Sequence, residues 1–204
     1  MGALDPLVLY LAIVNATTLA LVALDRRLSG RGGSGEAVSR TALTLLMFAG
    51  GALGGVIAIA LFDRRTNKRN SAWHAFSVIA LLGWSLALVA IYVAPLDPRA
   101  VLAAATGRGH TGLLAYLVVA SGATFLVFVV DKLVAIWNGR GHDATRVPEG
   151  ALLLLSLAGG SPGALLAMLV ARHKIRTTAF AVGIPLMLAL QVVLVAYLLQ
   201  FGVA

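Results

Sequence analysis

Six ionisable residues, Asp131, Lys132, Arg146, Glu149, His173 and Lys174, stand out in a chain that is 12% charged and 60% hydrophobic. Acids and bases in this mixture suit three kinds of chemistry. They can lock a fold through salt bridges, bind an anion or a phosphate head group, or pass protons, since histidine is the side chain whose unperturbed pKa lies near ~6.5. Glu149 and His173 have the makings of a general acid–base pair. The rest of an enzyme is missing from the sequence. There is no cysteine and no GxxxxGK[ST] phosphate loop, and the four histidines (His74, His110, His142 and His173) include no i, i+3 or i, i+4 pair for a metal. No metal, cofactor or catalytic residue is therefore assigned. The expected role is transport or channel-like, with these six residues as a polar binding site at the inner mouth of the second half. The alternative is an anionic-lipid-binding or scaffolding protein, and an enzyme ranks below both.

Glu149 and His173 flank an apolar run, so they meet only if that run returns to the side it left. Six apolar runs are expected to be membrane spans or parts of them: 7–24, 41–62, 73–94, 112–130, 150–171 and 179–201. The first lacks a basic leader and is followed by five more, which argues against a cleaved signal peptide. Net charge is +8, and the bases cluster between the apolar runs. That placement points to membrane orientation and anionic lipid as partner. Basic stripes interleaved with aromatics are absent, so nucleic acid is not expected as a partner. Gly-rich 29–35 reads as a flexible basic linker.

Two of the runs are broken by glycine, at Gly50, Gly51 and Gly54 and again at Gly159, Gly160 and Gly163, with Pro162 inside the second break. The breaks belong to a repeat. Asn15-Ala16-Thr17-Thr18 precedes Asp25-Arg26 as Ser121-Gly122-Ala123-Thr124 precedes Asp131-Lys132, and a basic cluster closes each half at Asp63-Arg64-Arg65 and Arg172-His173-Lys174. The expected organisation is a first membrane repeat over 1–95, an outer linker over 96–111 and a second repeat over 112–204.

Counting Lys and Arg in the loops decides between two topologies. If every run crosses, the two faces receive nine and seven bases, which orients nothing; if the glycine-broken runs are re-entrant, they receive fourteen and two. Pro162 also disfavours a continuous helix. The expected fold is an all-α polytopic integral membrane protein with internal duplication. It has four transmembrane helices plus two re-entrant hairpins, sits in the cell membrane and has both termini outside. The alternative is six spans arranged as 3+3 inverted repeats. Single cysteines at Ser34, Asn67 or Arg108 would report loop sidedness. A homo-oligomer is compatible with either topology.

The ordered string Asp131-Lys132, Arg146-Val147-Pro148-Glu149, Gly159-Gly160-Ser161-Pro162-Gly163 and Arg172-His173-Lys174, with Phe180 downstream, resembles the small prokaryotic membrane proteins of domain of unknown function 1294. The first half looks like a diverged copy, in which Pro148-Glu149 becomes Ser39-Arg40, Pro162 becomes Leu53 and His173-Lys174 becomes Arg64-Arg65. The resemblance implies a membrane protein and brings no activity.

Each feature also has a structural reading. Pro148-Glu149 suits the start of a helix, and His173-Lys174 suits a helix end. The glycines suit close packing of the two hairpins against each other. Alternatively, half-helix ends at the breaks could build an ion path. Asn15, Thr17, Thr18, Ser121, Thr124 and Gln191 are expected to hydrogen-bond across helices. Tyr10, Tyr92, Tyr116 and Tyr197 are expected at the outer interface, and Trp73 and Trp137 at the inner one.

Overall fold

The computed structural model describes residues 5–29, 38–63, 71–106 and 109–202. Residues 30–35 of the glycine-rich stretch, Arg64 and Arg65, and the probe positions Ser34, Asn67 and Arg108 lie outside them. Among the described residues every regular element is a helix. Six stretches are long and apolar enough to cross a membrane, and they coincide with the six runs expected from sequence. The chain divides into two compact units, Met1–Ser85 and Leu86–Ala204.

In the first unit, α1 runs over Pro6–Ser29. Its start follows the expected chemistry: Pro6 has no N–H to leave unpaired, and the Asp5 carboxylate accepts from the Leu7 N–H at 2.8 Å. Helices α2 (Arg40–Leu46) and α3 (Ala52–Phe62) are separated by a wide turn over Met47–Gly51, where Gly50 adopts φ 122°. That value is open to glycine and costly for other residues. A break of this kind frees backbone carbonyls, and side chains take them up. Tyr10 Oη donates to the Ala49 carbonyl, Asn15 Nδ2 to the Gly50 carbonyl, and Trp84 Nε1 of α4 (Ser71–Tyr92) to the Phe48 carbonyl. Asn15 also accepts from the Gly54 N–H at 2.8 Å, so one side chain bridges both sides of the break.

The glycines at the break face the long helix of their own unit. A Cβ on Gly54 would stand 2.1 Å from the Asn15 carbonyl oxygen, and one on Gly51 would stand 2.0 Å from Thr18 Oγ1. Thr17 and Thr18 do not bond across helices as expected. Their hydroxyls return to the Ile13 and Val14 carbonyls of their own helix, and buried Thr18 packs on Gly51. Trp73, expected near the inner interface, packs inside the protein. It is buried among Val22, Leu43, Met47, Ala52 and Ile59.

In the second unit, α5 (Pro98–Ala105) lies within the stretch expected as a linker and is capped by Asp97, which accepts from the Arg99 N–H at 2.9 Å. The end of α10 (Gly183–Gln200) is tied to the chain before it. Gln200 exchanges hydrogen bonds with Asp97 and Pro95, and the buried Tyr197 donates to the Ala94 carbonyl. The centre of the unit is α6 (Thr111–Asn138) with α7 (Glu149–Leu155) and α8 (Ser161–Ala171) packed on it, the last two separated by a turn over Ser156–Gly160. Gly159 sits at φ 113°. A four-residue helix, α9 (Thr178–Ala181), precedes α10.

The carbonyls freed at this second turn are again capped. Gln191 Nε2 of α10 donates to Ser156 at 2.6 Å and to Leu157 at 3.0 Å. Tyr116 Oη donates to Ala158, and Ser121 Oγ donates to Gly159 at 3.4 Å. Gln191, Ser121 and Thr124 thus bond across helices as expected, Thr124 reaching the Leu155 carbonyl at 3.5 Å. In apolar surroundings each carbonyl left without a donor would cost several kcal/mol, roughly the penalty for an unmade hydrogen bond in hydrocarbon.

Candidate functional site

At the other end of α6, where the two flanks of the second broken segment arrive, lies Asp131. Its carboxylate is completely buried, 0% exposed. The sequence brings partners to it from both flanks. On one side α6 ends at Asn138, whose amide bonds both the N–H and the carbonyl of Ala144 at 2.8 Å and closes the loop. The chain then runs on to Pro148, and α7 begins at Glu149 with its acid in the first turn, as the Pro-Glu pair predicts. Arg146, two residues before that proline, reaches Asp131 with a forked contact, Nε to Oδ1 at 3.3 Å and Nη2 to Oδ2 at 3.0 Å. On the other side α8 ends at Ala171. Arg172 adopts a left-handed conformation (φ 44°), and the His173 N–H bonds back to the Met168 carbonyl.

That reversal presents His173 and Lys174. His173 Nε2 donates to Asp131 Oδ2 at 2.8 Å, and Lys174 Nζ lies 3.8 Å from the same oxygen. Lys174 also donates to Glu149 Oε1 at 3.2 Å and sits 4.6 Å from the centroid of the Phe180 ring, which packs edge-on against Phe128. The lysine is nearly buried, with a 7% exposed side chain, so its charge rests on two carboxylates and an aromatic face.

Five of the six residues singled out from sequence therefore converge. Lys132 does not join them. It stands about 100° round the helix from Asp131 and takes no part in the ion pairs of the cluster. The partners also differ from those expected. Glu149 and His173, expected as neighbours, line one cavity, but Glu149, read as a partner for Arg146 or His173, pairs with Lys174, and His173 pairs with Asp131. Asp131 and Arg146 meet as anticipated.

A cavity of about 670 Å³ opens over this cluster, lined by Arg146, Glu149, Arg172, His173, Lys174, Ile175, Arg176 and Thr177. Arg172 and Arg176 are the site residues that sequence reasoning passed over. Arg172 was read only as part of a closing basic cluster, and Arg176, two residues beyond Lys174, carries no signal of its own. Among the described residues no group of three His, Asp or Glu side chains is arranged to hold a metal ion.

In the first unit Asp25, the counterpart of Asp131 in the repeat alignment, accepts from the Val38 backbone N–H at 3.0 Å. Among the described residues Arg26 pairs with Asp63 at 2.5 Å, and His74 stands 3.7 Å from Asp63.

The family comparison falls within the second unit. A family model described as "Protein of unknown function (DUF1294)" matches residues 121–180. That window opens on Ser121 and closes on Phe180, and it contains the broken segment and the whole ionic cluster. The chain is also similar to the uncharacterized protein YsdA of Bacillus subtilis (strain 168), 32% identical over 84 residues, which cover 41% of this chain and 89% of YsdA. No solved structure is significantly similar.

Proposed function

We propose, for a chain that belongs to the DUF1294 family of proteins of unknown function, that it is a polytopic protein of the cell membrane whose second unit holds anionic lipid head groups in a basic mouth. The observation that carries this reading is the cavity over the Asp131 cluster, which three arginines and one lysine line and one acid, Glu149, joins. Oriented guanidinium and ammonium groups at a membrane surface are the usual partners of lipid phosphates.

The reading includes the topology. Arg146 and His173, on opposite flanks of the broken segment, both reach Asp131, whereas the break itself reaches Ser121 and Tyr116. Those residues are ten and fifteen positions back along α6, roughly 15–22 Å from Asp131 at ~1.5 Å per residue. A segment that starts and finishes at one level and turns at another is a re-entrant hairpin, half to three quarters of the depth of a ~30 Å hydrocarbon core. The first unit supports the same reading through Val38 and Asp63 at the level of Asp25 and Arg26, with Ala49 and Gly50 at Tyr10 and Asn15. Matching caps in the two units, Tyr10 with Tyr116 and Trp84 with Gln191, favour internal duplication. So does a relative matched over 89% of its own length but 41% of this chain. On this topology the basic loops face the cytoplasm and the termini face outside.

Transport ranks lower. An ion path at the break needs open acceptors, and the carbonyls from Ser156 to Gly159 each accept a side-chain hydrogen bond. An acid–base enzyme also ranks lower, because Glu149 and His173 are each held by a different partner.

The test is lipid binding to the full chain in nanodiscs, comparing phosphatidylglycerol with phosphatidylcholine. Arg172 and Arg176 enter no ion pair of the cluster, so Arg172→Ala with Arg176→Ala is expected to leave thermal stability unchanged. At about 1 kcal/mol per base near the surface, the double change should cut the preference for phosphatidylglycerol about thirtyfold. A wild-type protein with no preference between the two lipids would remove the proposal.

A further inference from the structure

We infer that the basin over Asp131 selects a phosphate monoester, carrying two negative charges, over a phosphodiester carrying one. This rests on the anion-binding reading above and narrows it to a ligand class. The cluster supplies Arg146, Lys174, Arg172 and Arg176 as fixed cations, against Glu149 on the wall and Asp131 beneath. Leaving the His173 imidazole out of the count, four basic and two acidic side chains leave a surplus of two. The surplus has an address. Arg146 is spent on Asp131, and Lys174 on Glu149, Asp131 and the Phe180 ring. Arg172 and Arg176 are spent on neither carboxylate.

Two guanidinium forks lining one cavity suit a terminal phosphate, whose three oxygens can each accept, better than a diester, which has two free oxygens. A phosphate monoester carries about −1.5 to −2 near pH 7, close to the surplus. The Thr177 hydroxyl on the same wall adds a neutral donor. A volume of about 670 Å³ admits a head group with its first shell of water.

The backbone gives an independent reason to treat this wall as a built site. Arg172 and Lys174, neither of them glycine, adopt φ 44° and φ 59°. Each such conformation costs about 1–2 kcal/mol, and strain of this kind is retained where the surroundings hold a residue for a task. The turn places Arg172, Lys174 and Arg176 on one cavity wall, while His173 between them holds Asp131.

The same chemistry could arrive on a lipid or as soluble phosphate, and the experiment separates the two. The full chain in nanodiscs is titrated with phosphatidic acid against phosphatidylglycerol in a phosphatidylcholine background adjusted to equal surface potential. In detergent it is titrated with inorganic phosphate alone. The inference expects phosphatidic acid to bind about tenfold more tightly than phosphatidylglycerol, the value of one added charge-assisted contact. That preference should disappear in the Arg172→Ala, Arg176→Ala variant and persist in Lys132→Ala, which removes a base outside the basin. Inorganic phosphate binding as tightly as phosphatidic acid would make the source soluble; binding of phosphatidic acid alone would make it the lipid. Equal binding of the two lipids, with inorganic phosphate inert, would overturn the inference and leave anionic-lipid binding standing. Binding of neither lipid nor inorganic phosphate would overturn both.

Discussion

Asp131→Ala is expected to destabilise the protein by about 3–5 kcal/mol, the largest effect of any single substitution in the ionic cluster. The carboxylate is fully buried and faces Arg146, His173 and Lys174 at 3.0, 2.8 and 3.8 Å. Removing it leaves the nearly buried Lys174 ammonium beside the partly exposed Arg146 guanidinium, with one acid, Glu149, among them. Asp131→Asn keeps the volume and should cost nearly as much, because an amide supplies neither the charge nor two acceptor oxygens. Thermal unfolding in a mild detergent measures both. Lys132→Ala, one residue along α6 and outside the cluster, should leave the transition where it is. Equal shifts for Asp131→Asn and Lys132→Ala would mean that the cluster is a solvated surface network worth little.

Gly163→Ala is expected to cost about 3 kcal/mol, at the upper end of the range for overpacking a tight contact. A Cβ there would stand 1.8 Å from the Ser121 carbonyl oxygen, a backbone atom that no rotamer change can move aside. Helices α6 and α8 would have to separate, and their closest contact would go with them. Gly122→Ala is the control: it lies in α6 with open space where its Cβ would be, so the change should be neutral or stabilising by up to about 1 kcal/mol. The same unfolding assay separates the two glycines. A neutral Gly163→Ala would mean that the half-helix can slide along α6.

The sequence made the helices legible because membrane spans carry their own signal, some twenty residues without charge, and the six observed stretches fall on the six expected runs. The breaks were legible as glycine pairs, since only glycine enters φ above +100° without strain. What covers the breaks was not. Tyr10 and Tyr116 read as interfacial aromatics, yet their hydroxyls cap turn carbonyls 39 and 42 residues away. Aligning the two halves of the sequence held the clue, for each tyrosine precedes the small polar residue, Asn15 or Ser121, by five positions.

In the site, spacing brought the right residues to one place but could not pair them. Whether Glu149 takes His173 or Lys174 depends on the left-handed turn at Arg172, a conformation that an arginine does not advertise. The exclusion of Lys132 was readable in principle, from the helical angle between neighbours. The place of Arg172 and Arg176 on the cavity wall was not, because it too depends on that turn.

The central claim is that the second broken segment leaves and re-enters on one face of the membrane, closing over Asp131. The most direct measurement uses the chain's lack of cysteine. One cysteine is placed at Asp143, in the exposed loop before α7, and another, in a separate protein, at Thr178, exposed at the start of α9 beyond α8. An impermeant maleimide is then applied to sealed vesicles of each orientation. The account predicts that both positions react from the same compartment, the cytoplasmic one. Reaction from opposite compartments would make the segment a full span and contradict it.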